Sequence, residues 1–265
     1  MNSTKTANRG AIAGAYPLTL SFGDIRDAMR LGVKDFISNP ILSGFFGLFY
    51  TLGGLFIYFS LIHFDETWMI LPIAIGFPLV GPFVAAGLYE ISRRRQTGQT
   101  FTWSEILTVV FGQSRREMGW MAFVVLFIFW MWIYQVRMLL AVFLGNESFS
   151  TLEGFFNASL TTQAGFYFLA VGTVVGAILA AILFSVTVIS MPLLLDRDID
   201  FISAMIVSVK TVNRNPVVLL SWGAVVSGIA IVAMLPAFLG LLVALPVLGH
   251  ATWHVYRRAI GHIDG

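Results

Sequence analysis

Residues 24–40 read DIRDAMRLGVKDFISNP, and residues 200–216 read DFISAMIVSVKTVNRNP. Aligned without a gap, Asp, Ala, Met, Val, Lys, Asn and Pro coincide at seven of seventeen positions, always 176 residues apart. Each copy runs straight into a long apolar stretch. In the first copy Ile25, Ala28, Met29, Val33 and Phe36 recur at spacings of three and four, opposite Arg26, Asp27, Arg30 and Lys34. That is the pattern of an amphipathic helix. Ser21, with Asp24 three residues on, makes a capping box at its start. In the second copy Phe201, Met205, Val209 and Val212 form the stripe, with Ser203, Lys210 and Arg214 off it. Such helices are expected either in the headgroup plane or packed together as a small cytoplasmic layer. The pairs Asn39-Pro40 and Asn215-Pro216 then mark corners where a surface helix turns into the bilayer. Pro at the first helical position has no N–H to leave unsatisfied, and Asn ahead of it can cap the free N–H groups.

Composition agrees with a membrane setting. Apolar residues make up 57% of the 265 positions, charged ones only 11%, and the mean hydropathy is +0.83. Soluble domains run at about 45–50% apolar and about 25% charged. The absence of Cys excludes disulfides, thiolate metal sites and Cys nucleophiles. The polar N-terminal stretch lacks an apolar run long enough for a signal-peptide core and is expected to remain as a flexible cytoplasmic tail over residues 1–20.

A span needs about 20 mostly apolar residues. Six segments qualify: 41–63, 68–92, 119–144, 165–195, 217–235 and 239–256. Only Pro236, Ala237 and Phe238 separate the last two, which predicts a tight hairpin or one broken, re-entrant element. Fifteen of the sixteen Lys and Arg residues fall on one side of this arrangement, in the tail, before the first span, after the even-numbered spans and between them and the next. The opposite loops carry Asp65, Glu66, Glu147 and Glu153. The positive-inside rule therefore places both termini in the cytoplasm.

The repeat continues past the Asn-Pro pairs. A shift of 164 superposes Gly76 on Gly240, Pro82 on Pro246, Arg93 on Arg257 and Arg94 on Arg258. Each unit reads as an interfacial helix, a span, an outer turn and a second span. Residues 103–195 follow the same plan more faintly, with Trp103, Ile106, Leu107, Val110 and Phe111 on one stripe. The expected fold is all-α: a polytopic membrane protein of six transmembrane helices and three amphipathic interfacial helices. A single domain over 21–261 would comprise parallel repeats at about 21–95, 101–197 and 198–259, unlike the inverted repeats of many transporters.

With the repeat laid out, the chain resembles a family of uncharacterised bacterial inner-membrane proteins catalogued as domain of unknown function 2189. The resemblance is carried by Ser190-Met-Pro-Leu-Leu-Leu-Asp-Arg-Asp198, by Ala204-Met205 through Asn215-Pro216, and by Leu245-Pro-Val-Leu-Gly-His-Ala-Thr-Trp-His-Val-Tyr-Arg-Arg258. It covers most of the chain from about Asp24 onward and implies six spans in a bacterial inner membrane, with no activity attached. Automated labels sometimes call its members cytochrome c oxidase subunit I. That label fits poorly, because a haem-copper subunit needs far more spans and metal-binding His than a chain with four His in all supplies.

Three constellations could carry chemistry. His250 and His254 stand one helical turn apart near the end of the last span, and the 164-residue shift makes Glu90 the mate of His254. If the repeats pack around a pseudo-symmetry axis, Glu90 and His254 sit at equal depth and can approach each other. Two His and a carboxylate suit a divalent metal or haem. An interfacial His pair bonded to loop backbone beside Trp253 and Tyr256 is the plainer expectation. Arg137, flanked by Tyr134 and Gln135, is the only charge well inside a span, where it costs about 2.5 kcal/mol or more. It is expected to snorkel toward Glu147 or Glu153, or else to anchor an anion. In 196–200, DRDID, Asp198 or Asp200 is expected to cap the next helix rather than to bind a cation.

Gly165, Gly172, Gly176 and Ala180, with Gly47, Gly53 and Gly54, predict close helix packing. Pro72, Pro78 and Pro82 interrupt the second span's backbone ladder and are the best pointer to a solute path. No GxSxG, P-loop, dinucleotide fingerprint or HExxH occurs, and the scattered basic residues give no nucleic-acid footprint. The function expected is therefore a non-catalytic accessory, assembly or scaffold component without a cofactor. Its partners would be the bilayer and another inner-membrane protein or respiratory complex. A transporter or channel for a small or lipophilic solute is the alternative, and a metal- or haem-binding membrane protein comes third.

Overall fold

The computed structural model describes residues 15–63, 70–113, 117–145 and 152–262. The chain is almost wholly helical. Helix α1 (Phe22–Ser38) leads to α2 (Pro40–His63), α3 (Ile70–Gln96), α4 (Trp103–Gln113), α5 (Glu117–Leu144) and α6 (Leu152–Thr161). Then follow α7 (Gln163–Thr187), α8 (Ser190–Asp196), α9 (Phe201–Arg214), α10 (Pro216–Met234) and α11 (Leu241–Ala259). The chain divides into two compact units, Met1–Phe123 with Ser185–Gly265, and Val124–Phe184.

Among the described residues three helical runs are long and apolar enough to cross a membrane: Glu117–Leu144, Gln163–Asp196 and Pro216–Met234. A fourth is reached if α1 and the start of α2 count as one broken span. Along these runs large apolar side chains stand exposed, among them Phe127, Val174 and Ile231. In water such surfaces are an aggregation liability; in lipid they are the solvated face.

Helices α1 and α9 begin and end alike. Ser21 caps α1 by accepting from the Asp24 N–H while Asp24 accepts from the Ser21 N–H, which is the reciprocal box. Asp200 caps α9 by accepting from the Ser203 N–H at 2.9 Å. At their ends, Asn39 (φ −140, ψ 59) and Asn215 (φ −129, ψ 50) share one backbone conformation. Each N–H closes onto the carbonyls three and four residues back, and each carbonyl opens the next helix by accepting from Ser43 or Leu219. Pro40 and Pro216 start α2 and α10, and the chain bends by 104° between α1 and α2. The expected capping by the Asn215 side chain does not occur. Its amide instead grips the incoming chain, accepting from the Leu20 N–H at 2.7 Å and donating to the Leu18 carbonyl at 2.8 Å.

Residues 15–20, expected to belong to the tail, are held against the larger unit. Residues 15–17 form β1, which pairs antiparallel with β2 (Ile260–His262), and Leu18 donates to the Ala259 carbonyl at 2.8 Å. Ala15 and Leu20 are buried.

In the larger unit α11 is the central helix, packed on α1, α2 and α3. Small residues set the spacing. A Cβ on Gly32 of α1 would lie 2.7 Å from the Ala251 nitrogen and 2.8 Å from the Val247 carbonyl of α11. Pro246, inside α11, cannot donate to the Leu242 carbonyl, and Gly47 of α2 packs directly against that freed carbonyl. Leu42, Phe46, Val84, Leu88, Ile91, Ile106 and Val110 form an apolar core between α2, α3 and α4. In the smaller unit Leu139, Leu144 and Phe168 pack together, and Gly165 meets the backbone of Ala158 and Ser159.

Candidate functional site

The packing of α1 and α2 on α11, with α3 alongside, gathers a connected set of buried polar side chains. On α1 the side toward α11 is Ala28, Gly32 and Asp35, residues one helical turn apart, and all three are buried. Because Ala and Gly let the helices approach, the Asp35 carboxylate reaches into the layer. It accepts from Ser92 Oγ on α3 at 2.7 Å, from His254 Nε2 on α11 at 2.8 Å and from Arg95 Nε on α3 at 2.9 Å. Ser92 Oγ also contacts His250 Nδ1 at 2.8 Å, and His250 Nε2 contacts Ser43 Oγ on α2 at 2.9 Å. The result is a continuous chain, Ser43–His250–Ser92–Asp35–His254, drawn from four helices. Ser43, Ser92 and His250 are fully buried.

Donor and acceptor rules fix the proton order. An ionised Asp35 can only accept, so Ser92 donates to it and His254 donates through Nε2. With its one proton so used, Ser92 Oγ accepts from His250 Nδ1–H. Neutral His250 then presents Nε2 as an acceptor to the Ser43 hydroxyl. Every member is satisfied, as a buried polar network must be if it is to stabilise rather than cost. Burial alone would raise the Asp35 carboxyl. The hydrogen bonds from His254, Ser92 and Arg95 outweigh that and hold it below the ordinary carboxylate range.

Two ionic clusters border this network. Glu90, fully buried, takes Arg93 as a fork, Nε to Oε2 at 2.6 Å and Nη2 to Oε1 at 2.9 Å, and Arg94 Nε at 2.6 Å. Arg94 continues to Glu105 at 3.1 Å. Asp196, at the end of α8, accepts from the Tyr256 hydroxyl at 2.7 Å and from Arg257 at 3.1 Å. Glu90, anticipated as a neighbour of His254, is thus engaged by arginines of its own helix, and the carboxylate at His254 is Asp35. Among the described residues no group of three or more His, Cys, Asp or Glu is placed to hold a metal ion.

A cleft of ≈ 430 Å3 opens on the His254–Asp35 end of the chain, lined by Leu31, Lys34, Arg95, Gln96, Arg257 and Arg258. At its edge Gln96 accepts from the Trp253 indole at 3.2 Å, and Trp253 stacks on Tyr89. In the smaller unit Arg137 and Tyr134 are exposed on α5 and Gln135 is half-buried. The anticipated partners of Arg137, Glu147 and the Glu153 side chain, lie outside the described residues.

Sequence reasoning singled out His250 and His254 but missed Asp35, Ser43, Ser92 and Arg95. The available signal was Ala28-x-x-x-Gly32-x-x-Asp35, a small-residue stripe ending in a carboxylate on a helix about to pack closely.

Residues 70–196, just under half of the chain, match the model of the family described as "Predicted integral membrane protein (DUF2189)". This is the family to which the sequence bore its resemblance, and the match makes the chain similar to an integral membrane protein. No curated protein and no solved structure matches it.

Proposed function

We propose that this chain is a six-span protein of a bacterial inner membrane, with both termini cytoplasmic, that works as a non-catalytic accessory or scaffold component. The reading rests on one observation above the others: the ionisable groups of the larger unit's core are engaged with one another. Asp35 takes three donors, Glu90 takes Arg93 and Arg94, and Asp196 takes Tyr256 and Arg257. A nucleophile needs an activating base and access for substrate. Ser43, the hydroxyl on His250 Nε2, has zero exposure. Such a network fixes the mutual register of four helices, which is what a docking component requires.

The matching corners at Asn39 and Asn215 support reading α1–α2–α3 and α9–α10–α11 as repeats of one unit, with α4 to α8 as the third. Two further spans would then be α3 and α11, each ending in a basic cluster, Arg93-Arg94-Arg95 and Arg257-Arg258. Clusters of this kind at helix ends favour the cytoplasmic side.

Purification in a mild detergent, followed by native mass spectrometry and a flux assay in proteoliposomes, tests the function. A second membrane polypeptide at fixed stoichiometry is expected. A single species that carries a solute across the vesicle wall would overturn the scaffold reading.

A further inference from the structure

The two Asn-Pro corners carry the same exposed register with them. On α1 positions 26, 30, 34 and 37 are exposed, and on α9 so are their repeat mates 202, 206, 210 and 213. Steps of four, four and three keep to one side of a helix. It is the side away from the buried residues, Ala28, Gly32 and Asp35 on α1 and Ala204, Ser208 and Thr211 on α9. The first copy places Arg26, Arg30, Lys34 and Ile37 there, the second Ile202, Ile206, Lys210 and Asn213, so the lysine recurs. The register then turns the corner to Ile41 and Val217, 78% and 68% exposed, at the start of α2 and α10. Since α10 is long and apolar enough to cross a membrane, the outer face of α9 ends where lipid begins.

The cations of these faces differ from those of the cleft, where Arg95, Arg257 and Arg258 face Asp35, Asp196 and Asp24. Among the described residues no carboxylate lies within ion-pair reach of Arg26, Lys210 or Arg214. No Asp or Glu occurs from 201 to 214. Asp200 precedes Lys210 by about 15 Å of helix, beyond the screening length of about 8 Å at physiological salt. On α1 Asp27 offsets Arg30, 3.6 Å away, and Lys34 borders the cleft and its two helix C-termini. The C-terminus of α9 removes about half a charge. Arg26 on one helix, and Lys210 with Arg214 on the other, still leave both faces positive.

We infer that the outer faces of α1 and α9 form a docking surface for anionic phospholipid headgroups, in the leaflet into which α2 and α10 turn. The exposed isoleucines enter the interface while the long basic side chains reach its phosphates. Each basic residue near such a surface favours an anionic lipid by about fivefold. This rests on the span reading above and not on the scaffold role.

The test holds the full chain in phosphatidylcholine bilayers with a trace of spin-labelled phosphatidylglycerol or spin-labelled phosphatidylcholine. Electron paramagnetic resonance reads the fraction of each lipid held at the protein. A preference for phosphatidylglycerol of at least about fivefold is expected, and it should vanish in 1 M salt, where charges are screened within about 3 Å. Arg26→Gln, Lys210→Gln and Arg214→Gln combined should bring the two lipids to within about twofold of each other. None of the three makes an ion pair, so the variant should still fold. Arg258→Gln, which faces Asp24, should leave the preference unchanged. Equal retention of both lipids by inserted protein overturns the inference and leaves these faces to a protein partner, while the spans stand. A preference that survives the triple variant or 1 M salt also overturns it. Protein that does not enter the bilayer overturns the span reading, and the inference with it.

Discussion

Replacing Asp35 with alanine should loosen the larger unit severely. The carboxylate is buried and takes three donors at 2.7, 2.8 and 2.9 Å, from Ser92, His254 and Arg95. Hydrogen bonds to a charged group contribute about 1.5–3 kcal/mol each. A simple sum overcounts, because one truncation frees all three donors together and water enters from the cleft side. Removing one partner from a buried ionic pair typically costs about 3–5 kcal/mol, and that is the expected loss here. Asp27→Ala is the matched control on the same helix. Its partner, Arg30, is 3.6 Å away and largely exposed, so its loss should lie within about 1 kcal/mol. Thermal unfolding in one detergent, together with protease susceptibility around residues 38–40, reads both. If Asp35→Ala unfolds within about 0.5 kcal/mol of wild type, at the scale of an ordinary surface change, the network is not holding the helices and the account of this site is wrong.

Acid should act through the same residue. A carboxyl held low in the folded state contributes stability that is fully present above its unfolded pKa, about 3.9. That contribution is lost as pH falls through the lowered folded value. Asp35→Asn should therefore flatten the acid limb of a stability–pH profile, and an unchanged limb would contradict this. Gly32→Ala forces a Cβ into the α11 backbone and should cost about 1–3 kcal/mol. Gly44→Ala, where nothing lies within 4 Å, should be neutral or stabilising by up to about 1 kcal/mol in the same unfolding assay. Asn215→Ala should release residues 18–20 and expose the segment to limited proteolysis, because it removes both amide contacts to that stretch. Ala237 (φ 48) and Phe238 (φ 65) hold left-handed backbone in the turn between α10 and α11. Ala237→Gly should accordingly raise stability by about 1 kcal/mol, seen as a higher unfolding midpoint.

Helix identity was legible where a local rule acts. The capping box at Ser21, the Asp200 cap and the Pro starts of α2 and α10 depend on residues within a few positions, and sequence spacing reports them. Face assignment was less legible. On α1 the apolar stripe faces the protein for the most part: of Ile25, Ala28, Met29, Val33 and Phe36 only Val33 is exposed, but the closest approach falls at its edge, where Ala28, Gly32 and Asp35 are buried. In lipid close packing selects small residues and polar groups seek the interior. A periodicity of apolar residues alone therefore did not report Asp35. The repeat suggested that Glu90 and His254 occupy corresponding turns, but correspondence fixes depth and not neighbours. Arg93 and Arg94, three and four residues on, reach Glu90 along its own helix.

The most direct measurement of the whole account is topological. Reporter fusions after residue 65, after residue 145 and at the C-terminus distinguish the sides of the membrane. An external signal is expected from the first two and a cytoplasmic signal from the last. A cytoplasmic signal from either internal fusion would contradict hairpins that all enter from one face.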